Sequence, residues 1–304
     1  MAEYRILSID GGGIRGLLVS VLLEGLDSRV PGWRDKIDLV AGTSTGGIIA
    51  LGLAKGLEPS TLRELYYEKS PEIFDSAWYE LREGLPIVRA KYSNGDLREA
   101  LRAVFGDTLL RNLSKRVLIA AFDLANEERG HWKPKFFHNF PGDDTDGGLR
   151  AVDVGLATSA APTYFPTVDG YIDGAVVANN PAMAALAQTQ DRRARIAGRP
   201  SIGEIAMLSI GTGFLPRQID GPNHDWGYVQ WAQPILRVMF DGLAGVPDYQ
   251  CRQLLGRRYH RLEYALEHDI EMDDWRARDE LVRVGEIEMK PHLDETARWL
   301  TRQW

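Results

Sequence analysis

Several short runs of this chain are apolar with no polar face. Ile37–Val40, Arg116–Asp123 (RVLIAAFD) and Ile205–Ile210 are of this kind, and Tyr4–Ile9 alternates before turning apolar. Runs of this length suit strands buried on both faces, the condition of a parallel sheet covered by helices. Between them the period changes. Ile14–Val30 carries Leu17, Leu18, Val21, Leu22, Leu26 and Val30 at helical spacing over a polar opposite face. Gly46–Lys55 is rich in Ala and Gly, as suits a helix packed on a sheet, and Thr61–Lys69 and Gly95–Phe105 also read as helices, the second capped by Asp96. Trp78–Arg89, broken by Gly84 and Pro86, reads as an insertion over the sheet, Lys135–Asn139 as an edge strand and Pro141–Gly148 as a mobile polar loop. Arg150–Ala161 and Ala182–Gln190 are helical, and the chain from about His224 is mostly helical with one extended piece at Arg258–Leu262. Tyr228, Trp231, Ile235, Val238, Met239 and Gly242 share one helical face. Core packing is the expected use of that face, and a lip over a substrate site or lipid surface is its rival. No repeat, linker or low-complexity segment divides the chain. It is expected to form one domain over 1–304, with a motif-bearing core at about 4–213 and a helical part at about 224–304.

Composition narrows the class. The chain has 304 residues, 44% of them hydrophobic and 26% charged, as in ordinary globular proteins. A net charge of −7 speaks against a nucleic-acid partner, which needs clustered Lys and Arg. The single cysteine, Cys251, excludes an intrachain disulfide and suits a reducing compartment. The start shows no secretory signal, and no apolar run reaches the ~18 residues of a membrane span. A cytoplasmic enzyme acting at a membrane surface is the expectation, with oligomeric state left open.

Two glycine-rich turns follow predicted strands. Gly42-Thr43-Ser44-Thr45-Gly46 matches G-x-S-x-G, the turn that exposes a serine hydroxyl between a strand and a helix. Asp10-Gly11-Gly12-Gly13-Ile14-Arg15-Gly16 opens the first long helix, where unpaired amides can hold an anion. Gly11, Gly13 and Gly16 also fit a dinucleotide fingerprint. Against that rival, Asp10 would repel a pyrophosphate, and Gly42-Thr43-Ser44 occupies the place of the ribose-binding acid. The better reading has the amides of Gly12 and Gly13, with Thr45 as a further donor, facing an oxyanion formed on attack by Ser44. Asp173, before Gly174, reads on its own as a turn aspartate.

These motifs stand in a fixed order: D-G-G-G-x-R-G, G-x-S-x-G and Asp173-Gly174-Ala175, with Ser159–Phe165 (SAAPTYF) and Asn179-Asn180-Pro181 around the last. Together they resemble the patatin-like phospholipase family from Tyr4 to about Gly213. The resemblance implies a three-layer α/β/α fold, a mostly parallel central sheet with helices on both faces. It implies a lipid acyl hydrolase acting through an acyl-enzyme, with Ser44 as nucleophile and Asp173 as general base. It assigns Gly11, Gly12 and Gly13 to the oxyanion loop, with Arg15, Gly16, Gly42, Gly46 and Gly174 in support. The implied partner is a phospholipid or lysophospholipid, with peripheral membrane contact. A non-catalytic storage or lipid-binding relative is the alternative, ahead of a dinucleotide oxidoreductase. None of His131, His138, His224, His260, His268 and His292 lies in a motif tied to Ser44, and no cluster has metal-ligand spacing. No metal and no cofactor are expected; Asp143-Asp144-Thr145-Asp146-Gly147 is read as a carboxylate-rich loop rather than a cation site.

Overall fold

The computed structural model describes residues 3–74, 90–125, 130–194, 198–215, 227, 231 and 234–304. Trp78–Arg89, His224 and Tyr228 lie outside the described residues. The buried runs form strands: β1 (Tyr4–Ile9), β2 (Leu39–Thr43), β3 (Arg116–Asp123) and β6 (Ile205–Ile210). With β4 (Lys133–His138), β5 (Tyr171–Asp173) and β7 (Tyr259–Leu262) they make one sheet in the order β4-β3-β2-β1-β6-β7. β1 pairs in parallel with β2 and β6, as do β2 with β3 and β6 with β7; β4 and β5 run antiparallel to β3. The extended piece near Arg258–Leu262 thus completes the sheet started at the other end of the chain.

Helices cover both faces, and strand alternation assigns each side chain to one of them. Leu7, Ile9, Val40, Val117, Ile119, Ala206 and Leu208 pack toward α1 (Gly16–Arg29), α2 (Thr45–Lys55) and, later in the chain, the Ala151–Thr158 helix. Ile6, Leu39, Ala41, Leu118, Ile205 and Met207 pack on the opposite side, where Ala182, Ala185, Leu186, Cys251 and Leu255 meet them. The fold is three-layered α/β/α.

The remaining helices are α3 (Pro59–Ile73), α4 (Asn94–Phe105), α5 (Ala151–Thr158), α6 (Ala175–Ala178), α7 (Ala182–Thr189), α8 (Pro234–Leu255), α9 (Arg278–Arg283) and α10 (Lys290–Gln303). Most boundaries shift by a few residues from expectation, as frayed ends do. α3 runs on through Pro71. α4 is capped by Ser93, whose hydroxyl accepts from the Gly95 amide at 3.2 Å; Asp96 is a first-turn residue, not the cap. The 141–148 loop is tied down, since Asp146 pairs with Lys135 at 2.6 Å and accepts from the His138 amide at 3.0 Å.

The largest departure concerns α8. Ile235, Val238, Met239, Val246 and Tyr249 are exposed on it, while Phe240, Cys251 and Leu255 face inward. Helical apolar spacing shows that one face is apolar. It does not say whether that face meets protein or water, and here much of it is not core.

Candidate active site

Ser44 sits between β2 and α2 with φ 54°, ψ −123°. Positive φ is costly for a residue with a Cβ, about 1–3 kcal/mol, and persists only where its surroundings impose it. They do so here. A Cβ on Gly42 would overlap the Gly46 backbone, and one on Gly46 would overlap the carbonyls of Ile9 and Asp10. Glycine at both positions lets the turn close and lets α2 start against the end of β1. The Ser44 amide donates to Thr158 Oγ1 at 2.8 Å, and Thr158 in turn donates to the Ala120 carbonyl on β3.

Register brings Asp173 to the same place. β2 occupies one edge of β3 as far as the Thr43–Ala120 pair. β5 takes over that edge in the opposite direction, with Asp173 opposite Ala121. The two strands therefore end head to head, and each delivers its last side chains to the same point. Asp173 is anchored by its amide to the Ala160 carbonyl at 3.0 Å, and its Oδ1 accepts from the Ala175 amide at 2.8 Å. Gly174 has no room for a side chain against Ala120. Burial pushes the Asp173 carboxyl up to about 7, while hydrogen bonding from the Ser44 side chain and the Ala175 amide pulls the other way.

The glycine loop reaches the cleft from the end of β1. Gly13 has φ +60°, and a Cβ there would strike the Met272 carbonyl. That carbonyl accepts from the Ile14 amide at 2.8 Å and pins the loop. The Gly11 amide is already used: it donates to the Asn179 carbonyl at 3.0 Å. Gly11 therefore shapes the loop without an amide to offer a ligand. Among the described residues no hydrogen bond takes up the amides of Gly12, Gly13 or Thr45, the first residue of α2.

Ser44, Asp173, Gly11, Gly12, Gly13, Arg15 and Thr45 line one cleft, whose empty space, open mouth included, is about 960 Å³. Its apolar part is built from Ile48, Leu65, Ile73, Phe74, Leu97 and Phe165. A family model described as patatin-like phospholipase matches residues 7–186, a span that includes every one of these residues. The chain belongs to the patatin-like phospholipase family.

This patatin-like chain is 33% identical over 331 residues to the putative sporulation hydrolase CotR of Bacillus subtilis, across 100% of this chain and 99% of CotR. It is 34% identical over 230 residues to protein teg of Priestia megaterium, across 75% of this chain and 69% of teg. It is 36% identical over 229 residues to a cGAMP-activated phospholipase of Escherichia coli, across 69% of this chain and 62% of that protein.

The supports of the patatin-like site come from inside and outside the motifs. Tyr66 on α3 accepts from the Thr45 hydroxyl and donates to the Thr45 carbonyl at 3.0 Å, bracing the first turn of α2. Gly16 is pressed against both residues, so no side chain fits there. Arg15 donates to the Gly213 carbonyl at 3.1 Å and the Gly12 carbonyl at 3.4 Å, joining two loops at the cleft. Asp10 faces away from it, paired at both oxygens with buried Arg261, which also holds Ser209 and Glu263. Thr158 lies beside the S-A-A-P stretch, a signal that could have found it, and Asn179 opens the N-N-P stretch already singled out. Nothing local marks Tyr66, Met272 or Arg261. The described histidines sit elsewhere: His131 is exposed just before β4, His138 is near Asp144, His260 on Trp299 and Thr296, His268 on Glu280, and His292 against Tyr264. The carboxylates Asp144 and Asp146 face Arg193 and Lys135.

The raised Asp173 pKa has a consequence for stability. The unfolded chain ionises this group near the ordinary 3.8, the folded chain near 7. Native protein therefore binds the extra proton between those values, and stability falls as pH rises through that window. Asp173→Asn removes the penalty and keeps an oxygen for the Ala175 amide. Its unfolding free energy should exceed that of wild type at pH 8 by up to about 4 kcal/mol, at ~1.4 kcal/mol per pKa unit, raising its melting temperature there, and converge with wild type toward pH 4. Thermal unfolding across pH 4–8 checks this; a gap independent of pH contradicts it.

Proposed function

We propose that this chain is a serine lipid acyl hydrolase, of phospholipase A or lysophospholipase type, working through an acyl-enzyme on a Ser44–Asp173 dyad. The observation that carries the reading is the meeting of a strained serine with a buried, raised-pKa carboxylate beside two untaken glycine amides. Family membership supports lipid hydrolysis in general; the geometry supports this route.

The Ser44 Oγ attacks the ester carbonyl carbon as Asp173 takes its proton. The carbonyl oxygen becomes an oxyanion, received by the amides of Gly12 and Gly13, with Thr45 at the positive end of α2 as a third donor. The carbon–oxygen bond to the leaving alcohol breaks, and the alcohol departs with the proton held by Asp173. Water then attacks the acyl-serine, giving its proton to Asp173. Ser44 leaves with that proton, and the carboxylic acid is released. An aspartate of ordinary pKa is a feeble base at neutral pH, and burial removes that deficit. The acyl chain lies along Ile48, Leu65, Ile73, Phe74, Leu97 and Phe165, and the leaving group toward Arg15, Asp241 and Met272.

The same reading places the protein at a lipid surface. Phe240 and Asp241 of α8 line the cleft, and Ile235, Val238, Met239, Val246 and Tyr249 of that helix are exposed. Among the described residues no helix is long and apolar enough to cross a membrane. An apolar helix face at the cleft mouth suits shallow insertion of an acidic protein that cannot rely on charge attraction.

Two outcomes test these statements. Hydrolysis of a p-nitrophenyl ester should fall at least ~10³-fold in Ser44→Ala and in Asp173→Ala, and kcat/KM of the wild type should drop about tenfold per pH unit below an apparent pKa near 7. Undiminished rates in Ser44→Ala would remove the assignment. Sedimentation with neutral phosphatidylcholine vesicles should be lost in the double variant Val238→Asp, Met239→Asp, while its rate on a water-soluble short-chain ester persists; unchanged sedimentation contradicts the surface contact.

A further inference from the structure

The apolar part of the cleft contains two hydroxyls that belong to no hydrogen bond. Ser70 on α3 and Ser159 just after α5 are buried, 1% and 7% exposed, and both line the cleft that holds Ser44. Neither Oγ has a partner among the described residues. A helical serine ordinarily returns its hydroxyl to the carbonyl four residues back, and Ser70 leaves that of Tyr66 alone. Buried polar atoms without partners are rare in folded proteins because they forfeit water and receive nothing in exchange. Two in one apolar slot, beside a nucleophile, call for a ligand.

Their positions say where the ligand's polar group lies. Ser159 stands between Thr158, which holds the Ser44 amide, and Ala160, whose carbonyl holds the Asp173 amide. Ser70 lies one turn of α3, about 6 Å, beyond Tyr66, whose phenol reaches across to Thr45. Ser159 therefore faces an acyl chain close to its carbonyl, and Ser70 lines the same slot from α3. Phe74, Phe165 and Tyr92 pack together in edge-on and tilted arrangements with centroids 5.5–6.1 Å apart, and Phe74 and Phe165 offer the slot only carbon.

We infer that the acyl slot selects chains carrying a hydroxyl near the ester carbonyl, of 3-hydroxyacyl type, with Ser70 and Ser159 as the specificity-determining residues. The inference rests on the acyl-hydrolase reading above and narrows its substrate class. A hydroxyl on the chain both donates and accepts, so it supplies the partner that a buried serine hydroxyl of the slot lacks. A plain alkyl chain leaves both unpaired, and sites built for a hydroxyl reject analogues that lack it far more strongly than apolar slots reject an extra methylene.

The test compares p-nitrophenyl octanoate with p-nitrophenyl 3-hydroxyoctanoate, using the full chain and the variants Ser70→Ala, Ser159→Ala and the double. Wild type should prefer the hydroxylated ester at least tenfold in kcat/KM. The ratio should fall toward unity in the double variant, with each single variant between. Melting temperatures should hold or rise, since each substitution removes an unsatisfied polar atom; a fall in both melting temperature and rate on the two esters alike would make the serines structural and overturn the inference. Hydrolysis of both esters with a wild-type ratio near one means the hydroxyls hold only water, and overturns the inference alone. Hydrolysis of neither ester removes the acyl-hydrolase reading and the inference with it.

Discussion

One edge of β3 is shared, end to end, by two strands running toward each other. β2 stops opposite Ala120 and β5 stops opposite Ala121, so the register of hydrogen bonds along one strand sets where Ser44 and Asp173 meet. A slip of one residue in either pairing would turn its terminal side chain to the other face of the sheet. The burial of Leu39, Ala41, Leu118 and Ile119 between two helical layers forbids such a slip. The apolar core on both faces is thus the cause of the cleft's geometry, although none of those residues touches it.

What the core holds in place is locally unfavourable. Ser44 has a left-handed φ, Asp173 is a carboxylate almost wholly buried at the cleft, and among the described residues the amides of Gly12 and Gly13 go without partners. Each of these would relax if it could. The glycines at 42, 46 and 174 bring backbones too close for rearrangement, Tyr66 and Thr158 tie the elbow from two sides, and Met272 and Arg15 fasten the glycine loop. Concentrated strain, a perturbed carboxyl and spare donors at one point of a well-packed protein are the signature of a site shaped for chemistry.

The sheet was largely legible because strands buried on both faces are apolar throughout, and β1, β2, β3 and β6 are such strands. Ser44 was legible because the turn that presents it needs glycine at fixed positions. Asp173 was not legible from its own surroundings: β5 has three residues, and an aspartate before glycine usually just makes a turn. Only its order among other motifs singled it out. Gly11 could not be told from Gly12 and Gly13, since its amide is claimed by Asn179, distant in sequence and adjacent in space. The same holds for Asp10 and Arg261. The apolar stripe of α8 was readable as a stripe, but a helical period is blind to whether the next layer is protein or solvent. Ser70 gave no signal, and Ser159 only its place at the head of the S-A-A-P stretch, because an unmet hydrogen bond exists only in three dimensions.

The central claim is that an ester carbonyl bound at Ser44 turns its oxygen toward the second and third glycines of the first loop. A crystal structure of the protein reacted with an alkyl fluorophosphonate measures this directly. The account predicts a phosphorus–Oγ bond at Ser44, with one phosphonyl oxygen within about 3 Å of both the Gly12 and Gly13 amides. A covalent adduct on another residue, or one whose oxygen points away from that loop, would contradict it.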